Sequence, residues 1–319
     1  APQGLVGRLR WRFDMFQRAH GAVGFPIAVF RKFSHDKAGH LAALVAYYGF
    51  FSVFALMLAF TSVLGFVISD PEDQQRFADE AADQIPVVGD TIRNTAGQLD
   101  GSAIAVVVGL ALAVWSGMKI VDAMQNALNT VWSVPRVARP NIAERRLRGI
   151  AMLALVGGGM VGSVVASGIG AALDVVPGAG RLAIAGGTAM VSIGLYVLAF
   201  KVLTDARLSW RSVWPGAVFA GMCWWALQTF GSTFIANQQR SAGDAYGQFA
   251  SIIALFAFLF LASQLSIVGA EINVVLARRL WPRSLTSRNL TAADVRAFEL
   301  LADSTRQDES YRVTLRRVP

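Results

Sequence analysis

Along residues 41–277 the chain alternates between long uncharged apolar runs and short charged connections. A bilayer core about 30 Å thick needs roughly 20 apolar residues in a helix rising about 1.5 Å per residue. The runs at 41–68, 149–173, 182–200 and 212–237 meet that length without a single charge. The stretch 102–118 is also apolar and reads as helical onward through Lys119 to Trp132, while 249–270 is uncharged and then runs into Glu271. The pattern predicts an all-α polytopic membrane protein with six transmembrane helices, at about 41–68, 102–132, 149–173, 182–203, 212–237 and 249–277. No period-2 alternation accompanies the runs, which argues against a barrel.

The connections differ in sign. Residues 69–100 carry Asp70, Glu72, Asp73, Asp79, Glu80, Asp83, Asp90 and Asp100 against Arg76 and Arg93. Residues 132–148 carry Arg136, Arg139, Arg145, Arg146 and Arg148 against Glu144. Basic loops stay in the cytoplasm, so this alternation orients the threading. Both termini, with the loops at 132–148 and 201–211, fall on the cytoplasmic side, and the loops at 69–101, 174–181 and 238–248 fall outside. The division is then residues 1–39 as an interfacial N-terminal region, 40–277 as the transmembrane domain with its acidic outer loop 69–101, and 278–319 as a cytoplasmic tail.

Three outlying pieces have patterns of their own. Leu5, Leu9, Phe13 and Phe16 recur at helical spacing among arginines, and residues 25–33 mix apolar side chains with Arg31 and Lys32. Both predict interfacial helices on an anionic inner leaflet, the other reading being a solvated basic tail. Pro71 and Pro86 bracket an acidic helical stretch that suits a small outer cap. Thr291 and Asp294 have the spacing of a capping box opening a short tail helix, and the residues from about Ser304 onward read as disordered. Gly157, Gly158, Gly159 and Gly162, then Gly186, Gly187 and Gly194, predict close helix packing, with a hinge as the alternative.

Composition agrees. Of 319 residues, 54% are hydrophobic and 16% charged, and the mean hydropathy is +0.47, too apolar for a soluble domain of this size. The formal net charge of +8 is the sum of a basic inner side and an acidic outer loop, so it follows the positive-inside rule rather than the basic face of a nucleic-acid binder. Cys223 is the single cysteine, which leaves no intramolecular disulfide or redox pair. His20, His35 and His40 cluster before the first run and make a poor metal site without cysteine partners. Neither a metal nor a cofactor is expected, and no Walker loop, nucleophile elbow or zinc-protease motif occurs.

Ionisable groups in or beside spans are the first candidates for function. Lys119 and Asp122 lie on the second predicted helix, Lys201 and Asp205 after the fourth, and Glu271 on the sixth. Counting at about 1.5 Å per residue puts Lys119, Lys201 and Glu271 roughly 25–33 Å from the outer starts of their helices, in one layer near the inner interface. Lys119 with Asp122 and Lys201 with Asp205 have the spacing of local ion pairs. Lys119, Asp122, Asn126 and Asn129 also form a polar stripe, and Gln228 and Gln264 add polar groups on the last two helices. This layer is either a chamber open to the cytoplasm or interhelical glue.

A set of dispersed motifs adds a resemblance. Ala46-Tyr47-Tyr48-Gly49-Phe50-Phe51-Ser52 opens the first run; Ser116-Gly117 and Gln125-Asn126-Ala127-Leu128-Asn129 follow in the second. Trp214-Pro215-Gly216-Ala217, Tyr246-Gly247 and Gly269-Ala270-Glu271-Ile272-Asn273 complete the order. Over roughly residues 30–280 these resemble the YihY/BrkB family of bacterial inner-membrane proteins, once labelled ribonuclease BN. Ala55 departs from a proline common in the family. The resemblance implies a six-helix inner-membrane protein with a transport or envelope role, and it marks Tyr47, Tyr48, Ser52, Pro215, Gly216, Tyr246, Gly247, Gly269 and Asn273.

The expectation is therefore a non-enzymatic transporter or flippase-like protein for a lipid, amphiphile or envelope-related solute. Its pathway residues would be Lys119, Asp122, Asn126, Asn129, Lys201, Asp205, Gln228, Gln264 and Glu271. Lacking an ATPase motif, such transport would be facilitated or ion-coupled. The alternative is a membrane scaffold serving envelope integrity, and a ribonuclease ranks last because the inner side offers arginines but few acids. Expected partners are membrane lipids, including anionic inner-leaflet lipids, with room for a homo-oligomer and no nucleic acid.

Overall fold

The computed structural model describes residues 5–68, 70–84, 103–172, 179–246, 249–285 and 290–306. Ten α-helices run through them: α1 (Leu5–Ala19), α2 (Gly21–His35), α3 (Ala38–Val67), α4 (Pro71–Gln84), α5 (Ala103–Val131), α6 (Ile142–Ala172), α7 (Ala179–Leu203), α8 (Trp210–Tyr246), α9 (Phe249–Ala277) and α10 (Ala292–Ser304). Among the described residues, four segments are long and apolar enough to cross a membrane: Ala38–Val67, Ala103–Val131, Gly186–Leu203 and Ile252–Ala277. Helices α6 and α8 span 31 and 37 residues.

Two boundaries differ from the hydropathy reading. Helix α6 begins at Ile142, inside the basic connection, because an amphipathic turn carrying Glu144, Arg145 and Arg148 continues the helix past the apolar run. Helix α8 continues to Tyr246 through most of the expected outer loop at 238–248. Polar residues end a hydrophobic run without ending a helix, since backbone pairing is indifferent to side-chain polarity. The remainder of the outer loop (85–102), Gly247 and the tail beyond 306 lie outside the described residues.

The ends of α5 and α9 lack the glycine that usually stops a helix. Ser133 and Arg279 adopt the left-handed conformation instead, with φ of 52° and 51°. At the first, the Val134 N–H donates to the Asn129 carbonyl at 2.8 Å and Ser133 N–H to Thr130 at 2.9 Å, the paired bonds of a Schellman cap. Lys37, with φ 52°, makes the equally tight turn from α2 into α3. The tail helix opens on the expected capping box, Thr291 with Asp294.

Packing follows the order of the chain, α3 against α5, α8 against both α7 and α9, and α9 against α3 and α2. The main core gathers Ala38, Leu128, Val131, Phe200, Val213, Ile267 and Val274, where the ends of α5, α7 and α9 meet the starts of α3 and α8. Toward the other end the apolar side chains are uncovered: Val67 is 70% exposed, Ile104 76% and Val107 67%. Such a belt is stable against acyl chains and unstable against water.

Helices approach closely at Gly109 against Ala59 and at Gly221 against Ile193, and most closely at the α8–α9 crossing. A Cβ built on Gly216 of α8 would overlap the Gly269 carbonyl of α9 and come within 2.7 Å of the Asn273 side chain. Asn273 in turn accepts a 2.6 Å hydrogen bond from the Gly216 N–H, one residue after Pro215, which has no N–H of its own to give the helix. Among the glycines expected to pack helices, those whose surroundings are described do not; the surroundings of Gly159 and Gly162 lie outside the described residues. A Cβ on Gly157, Gly158, Gly186, Gly187 or Gly194 would meet nothing within 4 Å.

Candidate functional site

The polar residues of the spans draw partners from helices outside them. Glu271 on α9 is fully buried, and its Oε2 lies 3.3 Å from the Nζ of Lys32 on α2. Lys32 also bonds the Asp36 carboxylate and donates to the Val131 carbonyl at the end of α5, 2.6 Å away. Two carboxylates thus share one ammonium in a place closed to water, and neither Glu271 oxygen has a hydrogen-bond partner. Burial works against the charged lysine, but Glu271 and then Asp36 outweigh it and hold the group above its ordinary value.

A second knot ties α5 to α6 and α7. Asn129 is buried. Its amide donates to Asp205 Oδ2 at 2.6 Å, and its Oδ1 accepts from the Asp205 N–H at 2.8 Å. Arg148 of α6 donates to the other Asp205 oxygen at 2.9 Å. One turn back, Arg145 reaches Asp122 at 3.4 Å and Gln125 at 3.2 Å. Arg139 donates to Asn126 at 3.2 Å.

The expected local pairs therefore do not form. Asp122 pairs with Arg145 rather than Lys119, and Asp205 with Arg148 rather than Lys201. A lysine preceding its acid is the weaker order on a helix, and arginine offers a fork for two acceptors. Lys119 leans toward the Trp115 ring, 5.8 Å from its centroid, and Lys201 sits 3.7 Å over Trp210. Gln228 is exposed on α8, away from the layer, and Gln264 is half-buried on α9. Asp122, Asn126, Asn129, Asp205 and Glu271 are brought into the polar layer.

The motif residues serve several ends. Ser116 donates to Ser52 at 3.4 Å, where α5 meets α3. Tyr47 begins a chain of edge-to-face rings through Phe51, Phe50 and Phe54, with Tyr48 beside it; Tyr47 and Phe51 are exposed. Pro215 is exposed, and Gly216, Gly269 and Asn273 form the α8–α9 crossing. Gly247 and the Tyr246 side chain lie outside the described residues.

Sequence reasoning missed the partners: Lys32, Asp36, Arg139, Arg145 and Arg148. The one signal for Lys32 was its i,i+4 spacing to Asp36, the residue that ends α2.

Next to the Lys32–Asp36 pair a cavity of about 350 Å³ opens, lined by His35, Asp36, Lys37, Asn129, Arg136 and Arg139 among others, with the last turn of α10 on its rim. The N- and C-terminal segments close around this end. Gln17 donates to the Arg283 carbonyl at 2.5 Å, and the Leu285 N–H donates to Asp14 at 2.8 Å. Arg283, itself buried, donates to Asp294 at 2.9 Å.

The sequence model of the Virulence factor BrkB family matches residues 29–292, from α2 to the first turn of α10. The chain belongs to the BrkB family. The polar layer, the exposed apolar belt and the Gly216–Gly269 crossing all fall within the BrkB match. A relative in Bacillus subtilis (strain 168), named as the ribonuclease-like protein YfkH, is 23% identical over 265 residues, covering 79% of this chain and 94% of its own. No solved structure matches the chain. As a BrkB family member with four long apolar helices among its described residues, the chain is an integral, multi-pass membrane protein.

Proposed function

We propose that this BrkB family protein crosses a bacterial inner membrane six times, with both termini in the cytoplasm, and moves an amphiphilic lipid or envelope-related solute. Helices α6 and α8 supply the third and fifth crossings, and the arginines of the 132–148 connection hold that end of the bundle inside. The single observation carrying the reading is the buried Glu271–Lys32–Asp36 cluster, whose Asp36 lines an open polar cavity. A buried ion cluster in which both Glu271 oxygens lack hydrogen bonds is an expensive way to glue helices, and such groups in membrane proteins mark pathways. Membrane lipids are its natural partners: α1 exposes Leu9, Trp11, Phe13 and Phe16 between arginines, the composition of an interfacial helix.

No enzymatic role is proposed, and no cofactor. The ribonuclease in the relative's name finds little support here, because the acids of the layer are taken up by Arg145, Arg148 and Lys32. Among the described residues no three His, Cys, Asp or Glu side chains converge as metal ligands.

The test is reconstitution into liposomes with movement of labelled phospholipids and small solutes followed across the bilayer. Faster movement than in protein-free liposomes, reduced in Glu271→Gln, supports the reading. Folded parent protein that leaves every rate at the protein-free level refutes it.

A further inference from the structure

The cavity beside the ion cluster has an electrostatic character of its own. Lys37, Arg136 and Arg139 line it together with His35, while its one carboxylate, Asp36, is already engaged by Lys32. The amide of Asn129 and the hydroxyl of Thr130 share the wall. Arg139 is the informative member. One of its terminal nitrogens holds Asn126, but its Nε is buried without any hydrogen-bond partner. A buried guanidinium donor left unpaired costs free energy that an incoming acceptor would recover. Burial, with the nearby Arg136 and Arg145, holds Arg139 below its ordinary value against the opposing pull of Asp205. His35 is likewise held down, by partial burial and by Arg283 and Arg31. Positive charge is crowded here, and the carboxylate that lines the cavity, Asp36, is spent on Lys32.

We propose that this cavity, between the α2–α3 turn and the 132–141 connection, binds a phosphate group, with Arg139, Arg136 and Lys37 as its ligands. Guanidinium forks match two phosphate oxygens at once, and the Lys37 ammonium adds a point charge. A volume of about 350 Å³ admits a headgroup-sized ligand and no more, so an acyl chain would stay outside among the helices. The proposal deepens the transport reading by naming its cargo as phosphate-bearing, and the binding assay does not itself depend on transport.

The experiment measures binding to the full chain, by calorimetry in a neutral detergent, of inorganic phosphate, glycerol 3-phosphate and acetate. A second arm measures binding of phosphatidic acid against phosphatidylcholine in lipid nanodiscs. Saturable, salt-sensitive binding of the phosphate probes is expected, with acetate weaker. Arg139→Gln and the exposed Arg136→Gln should each weaken it about tenfold, the loss of one charge-assisted contact. Arg278→Gln, an exposed cation not lining the cavity, should leave it unchanged. Binding of phosphatidic acid alone assigns the site to lipid headgroups, and binding of the soluble probes assigns it to free phosphates or phosphate esters. Acetate binding as tightly as phosphate, loss in Arg278→Gln equal to that in Arg136→Gln, or no binding in either arm overturns the proposal. Binding that persists while flux is absent refutes transport and leaves the site standing.

Discussion

The ammonium of Lys32, on a helix outside the long apolar runs, lies 3.3 Å from the carboxylate of Glu271 inside the last of them. Both side chains are closed to solvent, at 5% and 0% exposure, so neither has water to replace the other as a partner. Removing one partner of a buried pair is far costlier than removing the pair. Lys32→Met should therefore destabilise the protein by about 3–5 kcal/mol. Adding Asp36→Asn and Glu271→Gln to the same chain should restore most of that loss. Thermal unfolding in detergent compares the three proteins; a triple variant no more stable than Lys32→Met would show that the ion cluster is not the source of the cost.

The α8–α9 crossing makes a sharp contrast between glycines. At Gly216 an added methyl group meets backbone and the Asn273 amide, which have nowhere to go. Gly216→Ala should cost about 1–3 kcal/mol, and Gly269→Ala, within 2.7 Å of the Gly216 carbonyl, a similar amount. Gly157→Ala, with open space around it, should change stability by less than about 0.5 kcal/mol. Equal losses at Gly216 and Gly157 in a melting assay would contradict this crossing.

Asn129 is read as a two-way connector to Asp205. Asn129→Ala removes both bonds, but Asn129→Asp would set two carboxylate groups against each other where Asn129 now donates at 2.6 Å. The aspartate variant should be the less stable of the two at neutral pH and should recover as the pH is lowered and one acid takes a proton. Melting temperatures across pH 5–8 decide it, and a pH-independent difference would count against a direct Asn129–Asp205 contact.

The clasp between α2 and the tail helix should respond to acid in two stages. His35 stacks on Phe298 of α10 at 6.2 Å and is held below its ordinary value by partial burial and by Arg283 and Arg31. A depressed histidine contributes stability that is complete above its unfolded value of about 6.5 and is lost as pH falls from there through its folded value. Asp294, whose carboxylate accepts from Thr291, Ser284 and Arg283, is also depressed despite its burial. Its share persists down to about pH 3.9 and is lost below that. Hydrogen exchange in α10 should rise mildly below pH 6.5 and steeply below pH 3.9. His35→Phe should abolish the first stage and leave the second, whereas an unchanged first stage would assign it elsewhere.

The helices were legible because hydrocarbon-length runs leave the backbone no alternative to pairing with itself. Their ends were less so: Ile142 and Tyr246 lie in polar sequence that remains helical, and Ser133 and Arg279 stop helices without a glycine. The acids of the site could be picked out from Asp122, Asp205 and Glu271 as charges in apolar surroundings, since any charge there is conspicuous. Their partners could not. Lys32 and Glu271 are 239 positions apart, Asp205 and Arg148 57, and spacing rules on one helix see only neighbours at three and four residues. That blindness produced the Lys119–Asp122 and Lys201–Asp205 pairs, which the arginines of α6 displace.

Sidedness tests the whole account at once, because the pathway reading requires the ion cluster, the cavity and the tail helix to face the cytoplasm. In a Cys223→Ala background, Arg76→Cys on α4, Arg146→Cys on α6 and Arg296→Cys on α10, all at exposed positions, are challenged with a membrane-impermeant maleimide. The prediction is that Arg76→Cys labels in spheroplasts, while Arg146→Cys and Arg296→Cys label only in inverted membrane vesicles. Labelling of Arg76→Cys and Arg146→Cys from the same side would contradict it.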